Sequence, residues 1–564
     1  MTTQPSSGPS GHLPPRGEGK EGFPSPLGRP VSERPAPEAT ESLIRGQGEG
    51  SEPLRFFLEW GWVLPLGLGL GVCQIYESLV RPVALISAVV WAGAVLSRYR
   101  QRLPVSGVSV FVAIFAGAGL SFSAFPSRTL EDLSLGVAGF FLFQGFSVFI
   151  QSDETRFSKI IRVLVVMGLL RAVLGLFSIS WPAPDGKWVP AFDWPNSAIV
   201  AMGLGAVVLL GRSVTGAWRI FSASLTTLTF YLAFHWNAMG ALWGLCLCLW
   251  LWAWFRRPRP WFWWVLVVLV FGVVLSLSGY GPVWMQYNPS DAHRFERWRY
   301  YQELWPWIKD HWFWGTGLGT FAEYYPAYAT ESGLRVANFA HNEGLQFFCE
   351  MGIPGGLLIL FLGAKGIVKA WGCRQEFPEA VATIFAVGLW STVYFVFHWE
   401  FILFMGALAL AVVFRSPPIP LRLGARGVGL AVVGFVVIVQ LFQGAGRVGA
   451  LVAWRHERMG DTPGALRWFQ RASRVDPLSP EYPLRQMEIF RSMDRKAEAL
   501  VAVEKALRCR PRDVWTRRLV SVGRLHQIGR ESACLAYAPL LTLAPQVPQF
   551  RQEFSELCEP PKKP

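Results

Sequence analysis

The chain has 564 residues, with 53 Lys and Arg against 39 Asp and Glu, a formal net charge of +14. Hydrophobic residues make up 52% and charged residues only 16%, below the roughly 25% usual in soluble globular chains, and mean hydropathy is +0.30. That balance excludes an ordinary water-soluble enzyme and predicts a polytopic membrane protein. The positive charge is no nucleic-acid signature, because the arginines cluster between apolar runs, as at Arg98-Tyr-Arg100-Gln-Arg102 and Arg256-Arg257-Pro-Arg259. The eight cysteines (73, 246, 248, 349, 373, 509, 534, 558) form no CxxC pair, so their spacing gives neither a zinc site nor a disulfide framework.

Residues 1–52 are rich in Pro, Gly, Ser and Glu and nearly devoid of aromatic residues, which predicts a disordered cytoplasmic tail. No apolar stretch with a cleavage site follows their charges, so no signal peptide is expected. Residues 53–443 form the membrane domain. Its apolar stretches fall at 54–74, 82–97, 104–123, 132–150, 159–179, 196–211, 218–235, 238–255, 261–279, 344–364, 379–397, 400–414 and 427–443, each near the ~20 residues that cross a bilayer as a helix.

About thirteen spans result. The basic loops at 98–102, 156–162, 212–219, 256–259, 365–374 and 415–426 all fall on one side of them, which the positive-inside rule makes cytoplasmic. The other face receives 77–81, 126–132, 181–195, the long segment 280–343, 398–400 and the tail 444–564.

In that tail Ala465, Ala499 and Ala533 recur every 34 residues, as do Phe469, Val503 and Tyr537, then Ala472, Ala506 and Leu540, then Pro477, Pro511 and Pro545. Small, large, small and proline at that period predicts tetratricopeptide-like helix pairs stacked as an α-solenoid. The expected fold class is therefore all-α, a membrane helix bundle followed by an extracytoplasmic solenoid.

A transporter would carry ionisable residues in the middle of several spans. Only Glu59, Arg171 and Glu350 clearly qualify, with His235 and His398 near span ends. Polar chemistry gathers instead in segment 280–343 and the helix after it, which favours a reaction at the outer surface. Ser290 or Asp291 is placed to cap a helix that Pro306 ends near Trp305. Phe295, Trp298 and Trp305 would form its apolar face, and Arg294, Arg297 and Tyr301 would lie along another. Such a helix would lie on the membrane and turn guanidinium groups toward lipid phosphates or a diphosphate, or serve simply as an interfacial aromatic belt.

Gly315, Gly317 and Gly319 lack a preceding strand and the dinucleotide spacing, and so read as a tight turn. Downstream, His341 stands at the mouth of a span with Glu350 nine residues deeper. A histidine there is a candidate general base, and a buried Glu marks a functional group or an anchor.

His341-Asn342-x-x-Leu345-x-x-x-x-Glu350-x-Gly352-x-x-Gly355 resembles the signature of the O-antigen ligase/polymerase superfamily. Arg294-Phe-Glu-Arg-Trp298 followed by Trp314-Gly-Thr-Gly-Leu-Gly-Thr-Phe321 resembles that family's outer loop, and Phe192-Asp-Trp-Pro-Asn196 its earlier loop. The resemblance covers roughly 190–410. It implies a GT-C type membrane glycosyltransferase that moves a glycan from an undecaprenyl-diphosphate carrier to an acceptor hydroxyl at the periplasmic face of the inner membrane.

By carry-over His341 would be the base and Arg294 would hold the diphosphate. Arg297, Arg335, Asn342, Trp298 and Tyr301 would contribute to substrate binding, and Glu350, Gly317, Gly319 and Gly352 would support them. No cofactor or metal is implied, and the outer loops lack an Asp-x-Asp pair. Where the family often carries Ser-Arg-Gly-Ala, this chain reads His235-Trp-Asn237-Ala-Met-Gly240, without arginine. Arg297 and Arg335 are candidates for the missing cation, with Asn237 or His235 as partial substitutes. Within the superfamily a repeat-unit polymerase or a protein O-oligosaccharyltransferase differs in acceptor, lipid or protein, and the repeats offer a docking surface for a protein partner. The reading from another class is a non-catalytic transporter or scaffold.

Overall fold

The computed structural model describes residues 52–71, 77–98, 120, 123–177, 180–182, 188–190, 196–235, 239–256, 293–330, 337–392, 396–414 and 424–559. The disordered tail expected at 1–52, nearly all of the span expected at 104–123, and the whole of that at 261–279 lie outside the described residues.

In chain order the elements are α1 (Glu52–Trp60), α2 (Val63–Gly71), α3 (Glu77–Arg98), α4 (Pro126–Gln151) and α5 (Glu154–Leu176). A two-stranded antiparallel ribbon follows, β1 (Ser180–Pro182) with β2 (Trp188–Pro190), pairing Trp181 with Val189. Next come α6 (Asn196–Gly211), α7 (Ala217–His235), α8 (Met239–Arg256), α9 (His293–Asp310), α10 (Phe321–Tyr324), α11 (Glu343–Gly372), α12 (Pro378–Ser391), α13 (Glu400–Val413) and α14 (Gly424–Arg458). The tail continues as α15 (Thr462–Val475), α16 (Glu481–Ser492), α17 (Lys496–Cys509), α18 (Val514–Gln527), α19 (Arg530–Tyr537), α20 (Leu540–Leu543) and α21 (Pro548–Cys558). The short ribbon apart, the described fold is helical.

Among the described residues, four helical segments are long and apolar enough to cross a membrane: Arg81–Arg98, Pro126–Gln151, Glu343–Gly372 and Ala431–Arg458. Four shorter apolar ones are Met202–Gly211, Gly244–Arg256, Pro378–Ser391 and Glu400–Val413.

Two expectations change. The stretch 54–74 is not one helix, because Gly61 and Trp62 form a turn between α1 and α2. Trp91 of α3 fills the space beside Gly61, 2.8 Å from where a Cβ would stand. The last apolar helix does not stop at 443, since α14 runs 35 residues without a break into the tail.

Trp91, Phe146, Phe404 and Leu142 lie at the centre of the membrane domain. Gly145 lets α4 approach Ala92 of α3 so closely that a Cβ there would stand 2.9 Å from its methyl, the small-residue contact by which apolar helices gain packing in lipid. The helix ends sort into two groups. Arg256 at the end of α8 pairs with Glu379 at the start of α12 at 2.5 Å, and Phe255 meets Trp371 of α11. The starts of α3, α4, α11 and α13 meet elsewhere, around Arg81, Glu131, Glu343 and Glu400.

In the tail, Ala465, Phe469 and Ala472 are buried, as are Ala499, Val503 and Ala506, and Ala533, Tyr537 and Leu540. Asp461 caps α15 by accepting from Gly464 N at 2.8 Å, and Asp513 caps α18 by accepting from Thr516 N at 2.8 Å. Cys534 of α19 and Cys558 of α21 form a disulfide, which the spacing alone did not disclose. Replacing both with serine is expected to cost about 2–5 kcal/mol. Hydrogen exchange would show earlier loss of protection over 530–559, and unchanged protection would mean that the bridge does not hold α21 in place.

Candidate functional site

The centre of the site is a break in α11. Pro354 has no N–H to give to Glu350 O, and Gly352 adopts φ 70°, ψ 179°, a region open essentially to glycine alone. The glycine turn before α10 supplies the missing bonds. Gly317 N donates to Glu350 O at 2.9 Å, Thr316 N to Cys349 O at 3.2 Å, and Ile353 N to Trp312 O at 2.6 Å. Gly319 N donates to the Glu350 carboxylate at 3.0 Å. Positive φ at Gly315, Gly317 and Gly319 (69°, 100° and 71°) makes this approach sterically open. A Cβ at Gly315 would sit 2.3 Å from the Glu350 carbonyl, and one at Gly352 2.2 Å from Phe313 O.

His341 stands just ahead of α11, half-buried and in the left-handed region at φ 53°. Neighbours on both sides fix this conformation. Tyr301 OH donates to His341 O at 3.3 Å, and the Tyr300 ring stacks on the imidazole with centroids 6.4 Å apart. Asn342 caps the helix by accepting from Leu345 N at 3.0 Å, and its amide donates to Thr392 O at 3.0 Å. The imidazole is therefore presented at the helix mouth on a backbone anchored by α9 and α12.

Below it lies a network of buried charges drawn from five helices and a turn. Phe397 N donates to Glu343 at 2.7 Å. His398, in the 3-10 turn between α12 and α13, lies 3.4 Å from Glu343 and 3.7 Å from Asp132. Gln346 donates to Glu350 at 3.2 Å and accepts from Ala340 N at 3.2 Å. Beside these, Arg81 donates to both Glu131 and Glu400, and Arg128 and Arg447 also reach Glu131, at 3.2 and 3.1 Å. Removing one partner of such a buried pair typically costs about 3–5 kcal/mol, so the network ties the helix ends together beneath His341.

The tail closes on the same loop. Arg510 Nε donates to the buried Glu323 of α10 at 2.7 Å, and its guanidinium lies 4.9 Å from the Phe125 ring. Arg512 stands 3.9 Å over Tyr324. Burial pushes the Glu323 carboxyl above its ordinary range even with Arg510 beside it.

Of the residues singled out in the sequence, the structure brings His341, Asn342 and Tyr301 together, and Glu350, Gly317, Gly319 and Gly352 together. Arg335 and Asn237 lie outside the described residues, as do the side chains of His235, Arg294, Arg297 and Trp298. Helix α9 does not end at Pro306 but runs to Asp310. Its packed face is Tyr300, Leu304, Trp307 and Ile308, whereas Trp305 is 58% exposed and so does not belong to the buried stripe.

Sequence reading passed over Arg81, Arg128, Glu131, Asp132, Glu343, His398, Glu400 and Arg447 as a set. The available signal was that all but one stand at or next to helix starts, away from the basic loops. Their pairing needed the fold.

The network has a pH signature. Burial opposes a charge on His398, but Glu343 and Asp132 outweigh it and raise its pKa from 6.5 to about 10. A group raised in the folded state contributes stability that is fully present below the unfolded value and is lost as pH climbs through the folded one. Thermal stability of the full chain in detergent is therefore expected to fall progressively between about pH 6.5 and 10. His398→Gln should flatten part of that slope, and an identical slope in the variant would remove His398 from the network.

Residues 221–360 match the model of the family described as O-Antigen ligase, while a comparison with curated proteins gives no match. The matched stretch runs from α7 to the middle of α11 and holds the glycine turn, His341 and the helix break. Over that stretch the protein is similar to the O-antigen ligase family.

Proposed function

We propose that the protein is a bacterial inner-membrane glycosyltransferase that moves a glycan from an undecaprenyl-diphosphate carrier to an acceptor hydroxyl at the periplasmic face. The observation that carries this reading is the family match across 221–360 over a histidine displayed at a helix mouth. His341 takes the proton of the acceptor hydroxyl, whose oxygen attacks the anomeric carbon. The bond from that carbon to the diphosphate breaks, and the electron pair leaves on the diphosphate oxygen. Arg294 neutralises the departing charge, with Arg297 or Arg335 as the second cation. Electrostatic stabilisation of this kind is commonly the largest catalytic contribution. Asn342, Tyr301 and Trp298 line the acceptor and donor approach, and the Glu350–glycine turn contact keeps the mouth of α11 in place.

The periplasmic orientation draws on the basic loops and on the bridge between Cys534 and Cys558, because disulfides persist on the oxidising side of a membrane. The tail is proposed to be tetratricopeptide-like, supported by helix starts at Thr462 and Lys496 and by the buried positions that recur every 34 residues. The tail favours a ligase or a protein O-oligosaccharyltransferase over a repeat-unit polymerase. The repeats pack against the loop that precedes His341 and place a helical surface beside the acceptor's approach.

Complementation of a strain lacking this gene tests the reading. His341→Ala and Arg294→Ala, at normal membrane levels, are expected to accumulate carrier-linked glycan and lose transferred product. Loss of a general base typically costs on the order of 10²–10⁴-fold. Normal surface glycan from both variants would return the chain to the transporter or scaffold class.

A further inference from the structure

The tail carries a second feature, independent of the transfer chemistry. On α15 the buried positions include Ala465, Phe469, Ala472 and Ser473. Arg467, Arg471 and Arg474 fall on the opposite side of the helix and are exposed. Moving 34 residues on, the same positions of α17 are Val501, Lys505 and Arg508. Five cations therefore stand at matching positions of α15 and α17, the helices on either side of α16; the three arginines of α15 and Arg508 are exposed and Lys505 is half-buried. Lys505 joins the two rows by donating to Ser473 at 2.7 Å. Among the described residues neither Lys505 nor Arg508 forms an ion pair, and the nearby Asp476 is buried with its carboxylate toward Tyr482 OH at 3.4 Å.

This ladder ends at a cleft of about 360 Å³ lined by Lys505, Arg508, Cys509, Pro477, Leu478 and Pro126. Pro126 is the first residue of α4, one of the segments able to cross a membrane. The cleft thus combines two unpaired cations with apolar walls at the very end of an apolar helix. A lipid headgroup offers that same combination, a phosphate next to the start of an acyl region. Each Lys or Arg near an anionic membrane surface contributes roughly 1 kcal/mol of attraction.

We infer that the Lys505–Arg508 cleft, extended by Arg474 and Arg471, is a binding site for the phosphate headgroup of an anionic membrane lipid. Occupancy seats the tail on the membrane surface beside α4. Because Arg510 and Arg512 of the same chain segment hold Glu323 and Tyr324, a seated tail also holds the loop that precedes His341. The inference does not depend on the transfer reaction.

The full chain, purified in a neutral detergent, would be titrated with phosphatidylglycerol, with phosphatidylcholine of the same acyl chains, and with inorganic phosphate. Thermal midpoint and lipid retained in native mass spectrometry are the readouts. Phosphatidylglycerol is expected to be retained and to stabilise the protein more than phosphatidylcholine does. Lys505→Ala/Arg508→Ala should weaken that binding about 10–30-fold, the loss expected for two such cations. Arg458→Ala/Arg491→Ala, which removes two exposed cations elsewhere on the tail, should not change it. Equal retention by wild type and the Lys505/Arg508 variant would overturn the site. Inorganic phosphate reproducing the whole stabilisation would overturn the lipid as its occupant. Circular dichroism of both variants separates loss of binding from loss of fold.

Discussion

Backbone polar groups inside an apolar helix bundle must find partners within the protein, and α11 breaks that rule unless something answers it. Pro354 and Gly352 interrupt the helix and free the carbonyls of Cys349 and Glu350. The glycine turn satisfies both and captures the Glu350 side chain as well. The turn therefore has to lie against α11, and its neighbours are fixed in consequence. Trp312 and Phe313 sit over the break, α10 follows directly, and Thr129 of α4 donates to Leu318 O at 2.5 Å. A helix defect thus determines where the loop ahead of α11 rests, and that loop in turn carries the residues that flank His341.

The buried charges extend that logic sideways. Glu343 and Glu350 on α11 connect through His398 and Gln346 to the turn before α13, and through Asp132 to α4. Arg81 and Arg447 then bind α3 and α14 to Glu131. Since α14 runs unbroken into the tail, the tail helices are tied to the bundle twice: by the helix itself and by Arg510 on Glu323. Loop, bundle end and tail behave as one mechanical assembly around the mouth of α11.

Much of this was legible from residue types. Apolar runs located α6, α7, α8 and α13 to within a residue but missed one end of α3, α4 and α11 by five to eight residues. The nine apolar positions of the 34-residue recurrence are buried in the tail, whereas its prolines Pro477 and Pro511 are exposed. Gly315, Gly317 and Gly319 read as a turn because three glycines in five residues serve little else. What that turn touches was not legible, since hydrogen bonds between residues 317 and 350 depend on tertiary approach. The same holds for Arg81, Glu131, Glu343, His398 and Glu400, each unremarkable alone near a helix start and meaningful only once the starts of α3, α4, α11 and α13 converge. Pro306 misled for a physical reason: a proline disfavours continuation of a helix, but Tyr300, Leu304, Trp307 and Ile308 bury enough apolar surface on one side of α9 to carry it through.

In the proposed function the mouth of α11, with His341 on its fixed backbone, transfers a glycan from a lipid diphosphate. The most direct measurement uses the purified full chain in proteoliposomes with a diphosphate-linked glycan donor and a hydroxyl acceptor, in the presence of a chelator. Release of the carrier diphosphate would be followed alongside product formation. The account predicts that both rise together in the wild type and that both stop when His341 is replaced by alanine. Transfer that persists in the histidine variant, or donor that stays intact with the wild-type protein, would contradict it.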